Sequence, residues 1–406
     1  MKRFLLWGER LFLFLFILFI PTQLGKHFWP EWSYVWGIRV DYFSPVLYFL
    51  DLLWVSWFGF YVWSGKKIET KITFKFFIFL MFVAVNILIA KNQMVAVYKW
   101  FRLGQLVLTW VVFRKDRKRV EEFLTKAIPW WVILESLLGL GQVLIGSSVN
   151  GWAYFLGERR FAYTTLGVAQ ISVLGQGLVR AYGTFSHPNS LAGFLLVSLI
   201  IWFGKKKEIN RTFWWAITWM AVVGIVVSGS RLVWILTMLV IMAVTYLQSR
   251  DKKKVVGVGI TLIGIFVLLV AVVSVNYRSS DFLGGWDKEG LSKRISLNMS
   301  AMRMVRINPL FGVGLGNFIV RLPEMQKSES YFWLQPVHNI GLLVLSEIGF
   351  FGLIWVFLFL SGLNRGRVAL TQKMIWVAIL VTGMFDHYWL TLPQNSWFLV
   401  VVMAIL

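Results

Sequence analysis

Cysteine is absent from this 406-residue chain, so disulfides, thiol nucleophiles and thiolate metal sites are all excluded. Charge is scarce as well: 15% of residues are Asp, Glu, Lys or Arg, against 58% hydrophobic. Mean hydropathy is +0.69. Soluble domains run about 45–50% apolar and about 25% charged, and a soluble chain of this length could not hide so much apolar surface. Acid is scarcer than base, with 19 Asp and Glu against 41 Lys and Arg, and histidine occurs only 4 times. A net charge of +22 would suggest nucleic acid in a soluble protein. In a membrane protein it reflects the Lys and Arg that collect in cytoplasmic loops, so membrane lipid is the expected partner and nucleic acid is not.

What is abundant is apolar length. Runs of ~20 residues, enough to cross a ~30 Å hydrocarbon core, recur along the chain. Residues 1–406 read as one all-α integral membrane domain, a polytopic helix bundle of about twelve spans. These fall near 4–20, 44–63, 72–90, 94–113, 127–146, 190–204, 212–228, 232–248, 255–275, 339–361, 371–387 and 396–406. The 23 Trp and 12 Tyr suit many interfacial helix ends. The opening "MKRFLLWGERLFLFLFILFIP" imitates a signal peptide but has no small-residue cleavage site, and reads as a retained first helix. Alternate loops contain "MKR", "GKKIETK", "RKDRKR", "GKKKEINR", "SRDKKK" and "NRGRVALTQK", which places them and both termini in the cytoplasm. A large loop at 276–337, between the ninth and tenth spans, then falls outside by span parity, since long loops escape the charge rule.

The unusual residues gather on that outer side. In "RAYGTFSHPNSLAGFLLV", which begins at Arg180, Pro188 holds His187 extended and Asn189 or Ser190 can cap the following helix. Such a helix start favours an anion such as phosphate; a capped helix with a solvated histidine is the plainer reading. "VVSGSRLVWIL" leaves Arg231 at the mouth of a helix, where it either snorkels to headgroups or faces inward as a bidentate phosphate ligand. Residues 291–307 read as an amphipathic helix, with Ile295, Met299, Met302 and Val305 near one face and Arg294, Arg303 and Arg306 more polar. It suits a membrane surface. "FGVGLGNF" has no strand–helix unit around it, so tight turning beside the bundle is expected in place of a dinucleotide site. His338 and Asn339 stand where "QPVHN" meets a long apolar run, and Asp386 and His387 end the next-to-last one. Within apolar runs, Lys99 and Arg102 share a helical face, and Glu135, Gln142 and Glu347 are either functional or partners for those cations.

Taken together, "GTFSHPN", "SGSR", "NPLFGVGLGNF", "VHNIGLLVLSEIGFFG" and "FDHYWLTLPQN", in this order over about 180–395, resemble the O-antigen ligase and polymerase superfamily of bacterial envelope proteins. The resemblance implies a multi-pass inner-membrane glycosyltransferase of inverting type, with no cofactor and no metal. It implies transfer of a glycan from a polyprenyl (undecaprenyl) diphosphate carrier to a glycan, lipid or protein acceptor at the outer face. On the family pattern Arg231 matches the essential arginine of the Ser-Arg turn. Arg294 matches that of the long loop, with Arg303 as a rival, and His338 matches the histidine after the loop. Arg180 and His187 sit in a family motif, Arg180 as a further ligand of the diphosphate and His187 as possible support. Asn339, Lys99, Arg102, Glu347, Asp386 and His387 are possible support. A polymerase or a protein O-oligosaccharyltransferase would carry the same motifs.

The chemistry fits that assignment. Two arginines can neutralise a departing diphosphate in a low-dielectric site, and a neutral imidazole can take the acceptor's proton. A lipid-linked oligosaccharide flippase would also need a basic cavity, but transporters of that kind show related halves, and no repeat is visible here. A metal-dependent oligosaccharyltransferase would want paired outer carboxylates, and no Asp-x-Asp occurs. A pure scaffold leaves the arginines and His338 unexplained.

Overall fold

A computed structural model of the chain describes residues 1–66, 74–173, 176–206, 208–248, 251–274, 288–326, 334–361 and 369–406. Parts of the expected outer loop 276–337, and of the basic turns at 65–71, 249–254 and 364–373, lie outside the described residues.

The chain is mostly helical with little sheet. In order run α1 (Lys2–Leu18), α2 (Phe49–Trp63), α3 (Phe74–Leu88), α4 (Gln93–Lys115), α5 (Arg117–Ile145) and α6 (Trp152–Phe155). Then come α7 (Pro188–Gly204), α8 (Arg211–Val227), α9 (Arg231–Gln248), α10 (Lys252–Ser274), α11 (Lys288–Ile307) and α12 (Phe318–Met325). Last are α13 (Ile340–Ser361), α14 (Leu370–Phe385), α15 (Tyr388–Thr391) and α16 (Pro393–Ile405). Helices α5 and α13 are long and apolar enough to cross a membrane, and eight further apolar stretches run 10–17 residues. A 3-10 turn at Glu31–Ser33 and three short antiparallel pairs complete the described elements. β1 (Gly25–His27) pairs with β4 (Val46–Tyr48), β2 (Tyr34–Val35) with β3 (Ile38–Arg39), and β5 (Gln170–Val173) with β6 (Gln176–Val179).

Helix α7 is apolar all round and is the buried axis, packed by α5, α8, α9 and α14. Its first turn therefore opens at the centre of one end of the bundle. The opposite end holds the charges of the expected cytoplasmic segment 114–122. That segment is helix instead of loop, broken only at Asp116 between α4 and α5. Its charges find partners where they stand: Arg119 lies 2.8 Å from Asp116 and 3.2 Å from buried Glu9, and Asp116 lies 3.3 Å from Lys66.

Helix α13 breaks at Gly349, whose φ is 63°. The break frees carbonyls and amides that cannot stay unpaired inside an apolar bundle. The turn 309–314 satisfies them. Val313 N donates to Ser346 O at 2.8 Å and Gly314 N to Glu347 O at 3.0 Å, while Phe350 N donates to Pro309 O at 2.9 Å. Gly312, Gly314 and Gly316 all have positive φ, as the tight turn expected for "FGVGLGNF" requires.

Candidate functional site

The backbone before α7 is clamped from below by α5. Glu135 accepts from Thr184 N at 2.8 Å and from Thr184 Oγ1 at 2.7 Å. Gln142 Oε1 accepts from Tyr182 N and Gly183 N, at 2.9 and 2.8 Å, and its amide donates to Gly183 O at 2.8 Å. Glu135 and Gln142 are thus partners for backbone, not for Lys99 or Arg102. They fix the turn that carries Arg180 and His187 toward the open end.

Four helix ends meet there. His187 itself caps α7, its Nδ1 accepting from Asn189 N at 3.2 Å, where Asn189 or Ser190 was expected to cap. Burial is the main reason its pKa falls to about 4, so it stays neutral and keeps that lone pair; Asp386 opposes the shift, and Arg180, His338 and Arg294 add to it. Asn189 is released for another task. Its amide donates to Asp386 Oδ2 at 3.0 Å, and its carbonyl accepts from Arg180 Nη2 at 2.7 Å. Arg180 Nε donates in turn to Ser228 O at 2.7 Å, tying the Ser-Gly-Ser-Arg turn to the same chain of contacts.

Asn339 is the cap at the start of α13. Its Oδ1 accepts from Leu342 N at 2.9 Å and its amide donates to Met384 O at 3.2 Å, pinning α13 to the end of α14. His338 is left facing the cluster. Its Nδ1 lies 3.5 Å from Asp386 Oδ1 and has no hydrogen-bond partner in proper geometry, and its ring is 5.1 Å from that of His387. The Gln335 amide nitrogen, a donor only, lies 3.3 Å from His338 Nε2. That arrangement favours the tautomer with the proton on Nδ1, toward the carboxylate, and a lone pair on Nε2. Arg231 and Arg294 complete the group: their charges bear on Arg180, and neither has an ion-pair partner among the described residues.

Residues 216–357, about a third of the chain, match the family model described as O-antigen ligase. This segment is O-antigen ligase-like. The match supports a membrane glycosyltransferase-like function in polysaccharide biosynthesis, within a class of bacterial inner-membrane proteins. No curated protein matches the chain.

The O-antigen ligase-like segment contains Arg231, Arg294, Arg303, His338, Asn339 and Glu347, but Arg180, His187, Asp386 and His387 lie beyond it. Folding, not sequence adjacency, unites the two groups. Some predicted residues stand apart from the cluster. Arg303 donates to Met325 O, at the end of α12. It lies nine positions from Arg294 and, at about 100° per residue, on the opposite face of α11. Arg102 pairs with Asp51 at 2.6 Å, and Lys99 sits against the Gly316 turn with Glu347 as its nearest acidic influence. The two cations therefore serve different partners. The Glu347 side chain accepts from Phe318 N at 3.3 Å, which makes it a cap for α12. On α11 the buried stripe is Leu297, Ala301 and Met304, while Ile295, Met299 and Met302 are exposed. The helix has two apolar faces: one packs inward, and the one expected to suit a membrane surface is the outward one.

His338, Asp386 and His387 present ligand atoms within 4.8 Å of one another. The arginines around them make the neighbourhood suited to an anion more than to a divalent cation. Asn189 was missed as a member of the site except as a cap; an asparagine directly after Pro188, beside a histidine, was the available signal.

Proposed function

We propose that the chain moves a glycan from a polyprenyl diphosphate carrier onto an acceptor hydroxyl, at the outer face of the cytoplasmic membrane. The observation that carries this reading is the convergence of Arg231 and Arg294, which have no ion-pair partner among the described residues, with the His338–Asp386 pair at one end of the bundle. Arginines without carboxylate partners are a seat for phosphate, and a guanidinium fork matches its oxygens. Arg180, already committed to Ser228 and Asn189, positions that seat.

The step is a single displacement. The acceptor oxygen forms a bond to the anomeric carbon as the bond from that carbon to the carrier phosphate breaks. The diphosphate leaves with the electron pair, neutralised by Arg231 and Arg294. The acceptor's proton passes to His338 Nε2, and Asp386 stabilises the imidazolium that forms. Attack from the face opposite the leaving group inverts the anomeric centre. Ligase, polymerase and protein oligosaccharyltransferase share this chemistry and differ only in the acceptor.

The test is to incubate the purified chain with lipid-linked oligosaccharide and separate acceptor pools, then identify products by mass spectrometry. A new glycosidic bond of inverted configuration, with release of polyprenyl diphosphate, supports the reading. Movement of the intact lipid-linked glycan across vesicles without any bond change refutes it.

A further inference from the structure

The segment between α1 and α2 builds a second surface that runs into the cluster. The β1–β4 pairing and the Ser44 hydroxyl, 2.9 Å from His27 Nδ1, hold His27 in place. Its ring stacks on Trp29 at 5.4 Å with planes 10° apart. The Arg39 guanidinium lies 4.4 Å from the centre of a Trp29 ring. Next along the chain, Tyr42 sets its ring edge-on to His387 at 5.8 Å, and His387 lies 5.1 Å from His338. Arg159, from the turn after α6, bears on both His27 and Tyr42. Asp41 likewise bears on both the His27 end and Tyr42, and Tyr42 meets the imidazole next to Asp386.

Two features say what this surface can recognise. His27, Arg39, Asp41 and Arg159 are exposed, and none of them has an ion-pair partner among the described residues. Planar donors and acceptors with spare capacity, set among aromatic rings, match vicinal hydroxyls and the apolar C–H faces of sugar rings. The charges also divide into two sides. Tyr42 feels Asp386, Asp41 and Arg159, whereas Arg180 feels Asp386, Arg231 and Arg294. Asp386 is the boundary between an arginine side and an aromatic side.

We propose that Trp29, Arg39, Asp41, Tyr42 and Arg159 form the acceptor subsite, and that the acceptor it takes is a saccharide. This rests on the glycosyl-transfer reading above. The acceptor hydroxyl reaches His338 from the Tyr42 side, while the carrier diphosphate lies on the arginine side.

The test uses the full purified chain, lipid-linked oligosaccharide extracted from the producing organism's membranes, and that organism's delipidated envelope glycan as acceptor. Trp29→Ala and the double variant Arg39→Gln/Arg159→Gln should raise the acceptor KM by about tenfold, the equivalent of one lost contact of ~1.4 kcal/mol. Donor KM and kcat at saturating acceptor should stay within about twofold, and Trp29→Phe should recover most of the loss. The double variant alters only exposed side chains, so it decides the matter if Trp29→Ala fails to fold. Wild-type transfer with an unmoved acceptor KM in the variants overturns the subsite alone, as does an equal rise in donor KM. Transfer by the wild type to polypeptide and not to glycan overturns it too. A wild-type chain that transfers nothing to any acceptor defeats the transferase reading itself.

Discussion

Replacing Asp386 with Asn keeps the shape of the side chain and turns one of its two acceptors into a donor. Every group that meets this carboxylate is a donor: the Asn189 amide at 3.0 Å, His387 N at 2.8 Å, and His338 Nδ1 at 3.5 Å. An amide oxygen can serve only one side. If the new NH2 faces Asn189, that residue can flip its own amide, but the flip turns a second NH2 on Arg180 Nη2, now 2.7 Å from the Asn189 carbonyl. A guanidinium has no acceptor, so the mismatch cannot be passed on, and a buried polar group is left unpaired at about 1–3 kcal/mol. If the NH2 faces His338 instead, Nδ1 must accept and Nε2 carries the proton. The imidazole is then in the wrong tautomer to take a proton from the acceptor. Loss of a positioned base costs ~10²–10⁴ in rate, and an imposed wrong tautomer has cost about 10⁴ in a serine protease, or about 5 kcal/mol of barrier. Turnover should therefore fall by ~10²–10⁴ with donor affinity nearly intact. His338→Ala should fall as far, and the double variant should be no worse than either single one, since the two residues act as a unit. The assay is single-turnover transfer from lipid-linked oligosaccharide, with donor binding measured separately. Undiminished turnover in Asp386→Asn, or independent and additive losses in the double variant, would refute the coupling.

Arg231→Lys and Arg294→Lys should each weaken donor binding and turnover by about tenfold or more, because a point ammonium cannot reproduce a bidentate fork. Arg303→Lys should change both by less than about threefold, since its guanidinium serves the Met325 carbonyl; steady-state kinetics on the three variants separate the cases. Gly312→Ala should destabilise the chain by at least about 2 kcal/mol, as a methyl group there meets the Glu347 backbone at a φ of 70°; detergent-solubilised unfolding reads this out. His187 must be neutral to cap α7, and its pKa is lowered from 6.5 to about 4. Its contribution to stability is thus full above about pH 6.5 and is lost as pH falls toward 4, in a field set by Asp386, Arg180, His338 and Arg294. His187→Asn, a cap that does not titrate, should lessen the fall of the unfolding midpoint over that window, leaving the share due to His387, whose burial likewise lowers its pKa to about 4. Single cysteines in this cysteine-free chain should be labelled from outside at 228–231 and in the loop 276–337 and from the cytoplasm at 114–122; the reverse pattern would sink the outer-face site.

Much of the cluster was legible because its residues stand at helix ends, where local sequence speaks clearly. Pro188 announces the start of α7, the Ser-Gly-Ser turn announces Arg231, and "QPVHN" announces the start of α13. Which residue caps and which one acts was not legible. Asn339 and His338 are neighbours, and only the position of α14 shows that the amide caps while the imidazole faces Asp386. The choice between Arg294 and Arg303 was open because sequence alone does not fix the rotation of α11, whose two apolar faces compete for the core. The segment between α1 and α2 was hidden for another reason. Its strands are two or three residues long, below any periodic signal, and the β1–β4 pairing runs across about twenty residues. Only Trp36–Gly37, both at positive φ, carried a hairpin signature.

The placement of the polar cluster follows from the economy of a bundle in lipid. Along α7 no buried ionisable side chain can be carried cheaply, and the helix carries none from Ser190 to Gly204. At its first turn the backbone must be capped in any case, and so must the starts of α9 and α13 and the end of α14. Polar side chains brought in to meet those demands lie within reach of one another because α7 is central and the other three ends crowd around it. Asn189 shows the consequence. Freed from capping by His187, it spans Arg180 and Asp386 and so couples the arginine side to the histidine side through one side chain. A helix bundle that merely satisfied its termini would give His338 Nδ1 a well-aligned hydrogen bond, and would give Arg231 and Arg294 counter-charges, of which the described residues offer none. Those two departures from full satisfaction lie at the same end: on the proposed reading the carrier diphosphate supplies the arginines' counter-charge, and Asp386 closes on Nδ1 as the imidazole takes the acceptor's proton at Nε2.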